Sequence, residues 1–157
     1  MSFKSTINQY FDLRQEIDEV KQKIEVLESK ITKIEKRIEE IESGEIVKDK
    51  VTGGFGGTQT FTIEGIPTKE YYDKKMELYA KKMLLESRKT TLKALELEIL
   101  RQIAEVEQFI NDLPDAHIRR VVTLRVVENL SWQEVADKIG GGNTEDSVRM
   151  MFNRSVK

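Results

Sequence analysis

The first part of the chain carries apolar residues at a regular seven-residue repeat. Four isoleucines occupy one position of the repeat and four aliphatic residues the other: Ile17, Ile24, Ile31 and Ile38, then Val20, Leu27, Ile34 and Ile41. Tyr10 and Leu13 extend the pattern backwards. Alternating spacings of three and four residues keep a narrow apolar seam on one side of a helix, as in a coiled coil. We therefore predict a helix over residues 6–43.

A second helix is predicted over residues 68–113. Six aliphatic residues recur every seven positions: Leu78, Leu85, Leu92, Ile99, Val106 and Leu113. Five more apolar residues widen this stripe, namely Met76, Met83, Leu95, Ile103 and Ile110. A wider stripe indicates contact with more than one neighbour. Tyr71, Tyr72, Tyr79 and the methionines share the helical spacing, and we expect them in the core or the seam.

A glycine-rich connector, residues 44–67, separates the two helices. Six of the nine glycines lie in it, and apolar and polar residues alternate over residues 60–64. This pattern predicts a short β-ribbon whose tip is the Gly-Gly-Phe-Gly-Gly segment around Phe55. No Gly-Lys-Ser/Thr follows the glycines, which disfavours a phosphate-binding loop.

The C-terminal segment begins after Pro114 with another predicted helix. Asp115 can cap this helix, and Asn129 can stop it after about Glu128. Its apolar residues are Ile118, Val121, Val122, Leu124 and Val127.

A short helix is then predicted from Ser131 to Ile139. Ser131 and Glu134 form a Ser-x-x-Glu capping box, in which each side chain satisfies an otherwise free backbone N–H group. Leu130 and Val135 occupy the positions of a hydrophobic staple around that cap. Gly140 stands where a helix commonly ends in a left-handed residue.

The last predicted helix follows the glycine turn. Asn143 or Thr144 can cap it, with Glu145 and Asp146 in the first turn, where the helix dipole favours acidic side chains. Its apolar face consists of Val148, Met151 and Phe152.

These elements define the expected fold class and domains. The class is mainly α: a long antiparallel coiled-coil hairpin with a small β-ribbon at its tip and a C-terminal helix-turn-helix. The hairpin covers residues 1–113, and the helix-turn-helix covers residues 114–157. Within the hairpin we favour pairing of the first helix inside its own chain. Pairing mainly between chains is the alternative, and both hold if hairpins dimerise.

The last two helices suggest a DNA-binding function. Two short helices joined by a tight turn describe a helix-turn-helix, whose second helix enters the major groove and presents outward side chains to base edges. Those outward residues are Thr144, Glu145, Ser147, Arg149, Asn153 and Arg154. Arginine pairs bidentately with guanine and asparagine with adenine, whereas hydroxyl groups suit bases or phosphates. Arg119, Arg120 and Arg125, on the preceding helix, are predicted phosphate contacts.

Composition limits the other possibilities. Charged residues make up 34% and hydrophobic residues 38% of the chain, a mix typical of long helices with narrow seams. There is no cysteine, which excludes disulfides and thiolate metal sites and suits the reducing cytoplasm. The N-terminus lacks the apolar core of a signal peptide, and no apolar run approaches the roughly 20 residues that span a bilayer. We expect a soluble, cytoplasmic protein.

An enzyme is not expected. The single histidine, His117, has no metal-ligand companions, and no nucleophile, base and orienting residue come together in the sequence. We therefore expect no cofactor and no metal, a solvated or capping role for His117, and packing at the domain edge for Trp132. The net charge of the chain is −2, but the charge is unevenly distributed. Residues 115–157 contain seven Lys/Arg and six Asp/Glu, so this segment is weakly positive and the rest of the chain is negative.

The stretch LRVVENLSWQEVADKIGGGNTEDSVRMMFNR, residues 124–154, resembles the helix-turn-helix of sigma-70 region 4. More narrowly, it is similar to phage- and prophage-encoded regulators of that type, among them late-gene activators of the RinA/ArpU kind. The resemblance implies sequence-specific DNA binding and transcriptional control through Ser131–Ile139 and Thr144–Arg154. It also implies double-stranded DNA as the partner.

Three functions are compatible with this pattern. The first is a phage or prophage transcription regulator that oligomerises through its coiled coil. The second is a DNA-packaging component similar to a small terminase subunit, which combines a DNA-binding unit with an oligomerising helical hairpin. The third is a coiled-coil adaptor whose C-terminal segment binds RNA polymerase or another protein rather than DNA.

Overall fold

The structure, a computed structural model, describes residues 2–44, 47–53, 59–65 and 68–157, with only the backbone described for 47–53 and 59–65. The elements are, in chain order, α1 (Phe3–Glu42), β1 (Val47–Gly53), β2 (Gln59–Gly65), α2 (Thr68–Asp112), α3 (Ala116–Val122), a π-helical turn (Thr123–Val127), α4 (Trp132–Ile139) and α5 (Glu145–Ser155). The chain divides into two compact units. We call residues 20–91 the hairpin unit, and residues 1–19 with 92–157 the C-terminal unit.

In the hairpin unit the heptad seam of α1 is buried. Six of its residues are only 3–8% exposed: Ile24, Leu27, Ile31, Ile34, Ile38 and Ile41. On α2, Leu78 and Leu85 of the predicted seven-residue repeat are half-buried. The seam is therefore covered within a single chain, since no second copy is needed to bury it.

Three ion pairs show that α1 and α2 run antiparallel in this unit. The distances between their charged atoms are 3.5 Å for Glu28–Lys89, 2.9 Å for Glu35–Lys82 and 3.3 Å for Glu42–Lys75. Each step of seven residues forward along α1 is matched by seven residues backward along α2, so one heptad register holds along the three pairs. The side chains are about half exposed, and each pair therefore contributes little free energy. The apolar seam supplies most of the stability.

The C-terminal unit has one core, to which both ends of the chain contribute. Its buried members are Ile7, Tyr10, Val106, Ile110, Val121, Val122, Leu124, Val126, Val135, Ala136, Val148, Phe152 and Val156. The first turns of α1 and the last turns of α2 thus pack with the C-terminal helices. This grouping differs from the expected division at residue 113, because the short helices alone leave an apolar face that the long helices cover.

The expected fold class needs a correction. It counted a small β-ribbon as a component of the fold, but the regular structure in residues 2–44 and 68–157 is helical and contains no strand. In the connector, β1 and β2 form a two-stranded antiparallel pair in which Val47 faces Gly65 and Gly53 faces Gln59. Two strands make no layer that encloses a core by itself. The fold is therefore helical overall. The predicted tip around Phe55 lies outside the described residues.

A second correction concerns the outer side of α2. We expected Tyr72, Met76, Tyr79 and Met83 in the core or the seam, but their exposed fractions are 63%, 73%, 67% and 59%. The widened apolar stripe has two sides, and α1 covers only one of them. Tyr71 differs from this group, because it is half-buried and its hydroxyl donates to the Glu42 carboxylate at 3.0 Å.

Apolar residues are distributed along the helices as stripes rather than as continuous runs. Accordingly, none of the helices in the described part of the chain combines the length and the apolar content that crossing a membrane requires.

Candidate nucleic-acid interface

The three short helices of the C-terminal unit pack against one another. α5 contacts both α3 and α4, and α3 also contacts α4. Each helix contributes a valine with no exposed surface, namely Val121, Val135 and Val148. Ala136, which is 3% exposed, adds a small buried side chain from α4. Two short helices joined by a turn and braced by a third are typical of helix-turn-helix proteins.

The start of α4 is fixed by the predicted capping box. The Ser131 hydroxyl accepts from the Glu134 backbone N–H at 3.3 Å, and the Glu134 carboxylate accepts from the Ser131 backbone N–H at 2.7 Å. The Ser131 hydroxyl also donates to that carboxylate at 2.8 Å. The bonds from the Ser131 backbone and hydroxyl lower the pKa of Glu134 below its ordinary value. The prediction for this helix start is confirmed.

The turn between α4 and α5 depends on glycine geometry. Gly140 ends α4 with φ 68° and ψ −157°, a backbone conformation that is essentially restricted to glycine. The Asn143 side chain closes the turn by donating to the Gly140 carbonyl at 2.8 Å. The cap of α5 is Thr144, whose hydroxyl accepts from the Ser147 N–H at 3.2 Å. The Ser147 hydroxyl accepts from the Thr144 N–H, also at 3.2 Å. Of the two predicted caps, Thr144 is the one used.

The outer face of α5 presents three of the predicted DNA-binding side chains together. Arg149, Asn153 and Arg154 are exposed, while the opposite face of the helix is buried. Arg149 and Asn153 are four residues apart, so they lie one above the other on the helix surface. Thr144 and Ser147 lie at the helix start, where their hydroxyls are used for capping.

Met150 belongs to the same exposed face and was missed by sequence reasoning. Its exposed fraction is 53% although it is apolar. The spacing could have indicated this position, because residue 150 is three residues before Asn153 and four before Arg154, on the side opposite to Val148 and Phe152. The exposed face of α5 therefore combines one apolar side chain with polar and charged ones.

Acidic residues compensate the charge of Arg149. Its guanidinium forms an ion pair with Glu145, one turn earlier, and lies 4.0 Å from a carboxylate oxygen of Asp146. Asp146 is 88% exposed at its side chain and Arg149 is 45% exposed. Contact between Arg149 and DNA therefore requires exchange of the Glu145 carboxylate for a base or a phosphate.

The three arginines predicted as phosphate contacts differ in their surroundings. Arg120 is exposed and donates to the Lys138 carbonyl at 3.1 Å, which links α3 to the end of α4. Arg119 is half-buried and donates to the Leu113 carbonyl, tying α3 to the end of the preceding segment. These two bonds join segments of the unit, and Arg120 is the more exposed of the two.

Arg125 is half-buried and contacts two aromatic rings. Its guanidinium carbon is 4.6 Å from the ring centroid of Trp132 and 5.5 Å from that of Phe11, and a terminal nitrogen donates to the Leu130 carbonyl at 2.6 Å. Burial lowers the pKa of Arg125, and the nearby positive charge of Arg149 lowers it further. Arg125 remains cationic, because the ordinary pKa of a guanidinium is far above neutrality. It therefore holds the helix start at Trp132 while adding positive charge beside Arg149.

We predicted that the helix capped by Asp115 continues to about Glu128, but the segment after α3 is not α-helical. It widens into the π-helical turn, in which the Glu128 N–H donates to the Thr123 carbonyl, five residues back, at 3.1 Å. The carbonyls of the last two residues of the turn accept from the Arg14 guanidinium, at 3.4 Å each. The prediction failed because this partner lies at the opposite end of the sequence. Asn129 stops the segment at a positive φ of 55°, as expected.

The remaining sequence predictions concern single residues. Asp115 caps α3 by accepting from the His117 N–H at 2.7 Å, and the side chain of His117 is exposed. Trp132 is half-buried and packs edge-on against Phe152, with 5.2 Å between ring centroids.

In the described part of the chain, no group of three or more His, Cys, Asp or Glu side chains is placed to hold a metal ion.

Comparison of the chain with known protein families, with curated proteins and with solved structures gives no match.

Proposed function

We propose that this chain is a sequence-specific DNA-binding transcription regulator of the phage and prophage type, acting in the cytoplasm as a homo-oligomer. Its function is binding rather than catalysis, and double-stranded DNA is its partner. The observation that carries the proposal is the outer face of α5. That face presents Arg149, Asn153 and Arg154 together, while the other face is locked against α3 and α4.

The chemistry of this face suits the major groove. A guanidinium can donate two hydrogen bonds to guanine, and a carboxamide can pair with both edge groups of adenine. Arg149 and Asn153 supply these two groups one helical turn apart, and Met150 lies beside them for a thymine methyl group. Thr144 and Ser147 hold the helix start, so in this proposal they position α5 and their hydroxyls stay engaged.

The local charges favour specific contacts over general attraction to phosphates. Glu145 and Asp146 repel the DNA backbone and neutralise Arg149 in the free protein. Arg125 adds a second positive charge near Arg149. We therefore expect a modest salt dependence of non-specific binding and a clear preference for a site that replaces Glu145 at Arg149.

The test is a fluorescence anisotropy titration of the full-length chain with short duplexes that tile the flanks of its own gene. Tile-selective binding that weakens as salt rises supports the proposal. Arg149→Ala is expected to weaken binding to the selected tile by about 1–3 kcal/mol and to relax its base preference. Circular dichroism of the variant should match that of the parent chain, because Arg149 is exposed.

Lys36→Ala is the matched control for this titration. Lys36 is an exposed lysine of the hairpin unit, so its loss changes the net charge by the same amount without touching α5. Equal weakening by Arg149→Ala and Lys36→Ala would mean that net charge alone is measured, and no selective binding by the parent chain would contradict the proposal.

The packaging component and the adaptor predict different results with the same purified protein. Stable ring-like assemblies that bind DNA favour the packaging component similar to a small terminase subunit. Co-purification with RNA polymerase, together with no selective binding to any duplex, favours the adaptor.

A further inference from the structure

The outer side of α2 in the hairpin unit carries an apolar stripe that nothing in the described residues covers. We call Tyr72, Met76, Tyr79 and Met83 the α2 stripe. All four are more than half exposed. Their spacings of four, three and four residues keep them in line along one face of the helix, and this is the spacing by which one helix packs on another. A row of large apolar side chains at this spacing marks an interaction surface.

Charged residues end the α2 stripe on both sides. Continuing the same spacing gives Lys69 before Tyr72 and Glu86 after Met83. Both are exposed, and neither side chain has a hydrogen bond or an ion pair within the described residues. One end of the stripe is therefore positive and the other negative, and the middle is apolar.

This order of charges fits a second copy of the same stripe in the opposite direction. When a two-fold axis passes between Met76 and Tyr79, Met76 of each copy faces Tyr79 of the other copy. Tyr72 of each copy then faces Met83 of the other. The same rotation brings Lys69 of each copy opposite Glu86 of the other. A parallel arrangement instead places Lys69 against Lys69 and Glu86 against Glu86. Like charges in facing positions are destabilising, whereas opposite charges set register and orientation.

We infer that the α2 stripe is a homodimer interface in which the α2 helices of two copies pack antiparallel, with a Lys69–Glu86 pair at each end. The contact is isologous, because one patch meets an identical patch across a two-fold axis. Four side chains make a contact smaller than the ~800 Å² per partner of a standard interface. The dimer is therefore expected to form reversibly as concentration rises. This inference specifies the homo-oligomer in the proposed function and does not depend on DNA binding.

Charge reversal tests the interface by sedimentation velocity over a range of protein concentrations. The parent chain should shift from monomer to dimer as concentration rises. Lys69→Glu and Glu86→Lys should each weaken dimerisation at least several-fold, because each creates facing like charges. The double variant should recover dimerisation, because the charges are exchanged and the pairs are restored. Lys36→Glu, which changes the same charge on α1, should behave like the parent.

A disulfide experiment tests the direction of the helices. The chain has no cysteine, so a single introduced thiol has no native competitor. Tyr72→Cys and Met83→Cys proteins of different tag length are mixed and oxidised. Antiparallel packing should give mainly the mixed 72–83 disulfide, and parallel packing should give mainly the two homodimers.

The outcomes separate this inference from the proposed function. A monomer at all concentrations, an unchanged dimer in both single charge reversals, or homodimeric disulfides would each overturn the inference. None of these measurements contains DNA. If the chain gives one of these results but binds a duplex selectively, only the dimer interface is contradicted. If the chain forms the dimer but binds no duplex selectively, only the DNA-binding proposal is contradicted.

Discussion

The guanidinium of Arg125 lies over the indole ring of Trp132, with its central carbon 4.6 Å from the ring centroid. The ring of Phe11 lies 5.5 Å from the same carbon, so one charged group contacts aromatic side chains from both ends of the chain. A planar guanidinium can stack in this way while its edge donates to the Leu130 carbonyl. The contact joins α1 to the start of α4. Arg125 was predicted as a phosphate contact, and these ring contacts show that it also supports the fold.

Arg125→Lys is expected to lower the free energy of unfolding of the C-terminal unit by about 1–2 kcal/mol. Lysine keeps the charge but loses the planar stacking and the geometry of the bond to Leu130. Urea denaturation followed by tryptophan fluorescence measures this unit directly, because Trp132 is the only tryptophan. Arg154→Lys is the control, since Arg154 is exposed on the outer face of α5, and an equal loss in both variants would contradict the role of the contact with Trp132.

Gly140→Ala is expected to destabilise the same unit by about 1–3 kcal/mol through backbone strain. A Cβ atom built on Gly140 meets no other atom within 4 Å, so crowding is not the cause. Asparagine tolerates the left-handed helical region but not a ψ of −157°, and Gly140→Asn should therefore be as harmful as alanine. Denaturation of the three proteins measures the difference, and full recovery with asparagine would refute this explanation.

Contacts between neighbours in sequence were predictable, and contacts between distant residues were not. Ser131 and Glu134 are three residues apart, so their capping box follows from spacing alone. Asn143 and Thr144 both suit a cap, and only the folded turn, in which Asn143 bonds to Gly140, separates them.

The role of Arg125 and the π-helical turn were beyond a local argument. Their partners, Phe11 and Arg14, lie more than a hundred residues earlier in the chain. The periodicity of α2 did indicate more than one neighbour, but it could not say which apolar residues face α1 and which form the α2 stripe. The spacing of the apolar residues of the last helix predicted its outer face, whereas the pairing of Arg149 with Glu145 emerged only from the side-chain geometry.

The hairpin unit should be far more sensitive to its apolar seam than to its ion pairs. Ile34 is 7% exposed, and Ile34→Ala is expected to cost about 2–5 kcal/mol because it leaves a cavity. Its neighbour Glu35 pairs with Lys82 at the surface, and Glu35→Gln is expected to cost less than about 1 kcal/mol. Denaturation followed by circular dichroism compares the two variants. Similar losses would mean that the ion pairs, not the seam, hold the helices together.

The capping box at the start of α4 predicts a specific dependence of stability on pH. The pKa of Glu134 is lowered in the folded chain by the bonds from Ser131, so the folded state favours the charged carboxylate. A group whose folded pKa lies below its unfolded value stabilises the protein fully above the unfolded value, and this contribution is lost as pH falls through the folded value. Stability should therefore fall on the acid side of the ordinary glutamate pKa.

Glu134→Gln isolates this contribution from the other carboxylates. Glutamine can accept the same backbone hydrogen bond in a capping box, but it does not titrate. The difference in unfolding free energy between the parent chain and the variant, measured by Trp132 fluorescence at a series of pH values, should be largest near neutral pH and shrink as the solution is acidified. A difference that stays constant across that range would show that the charge of Glu134 does not stabilise the start of α4.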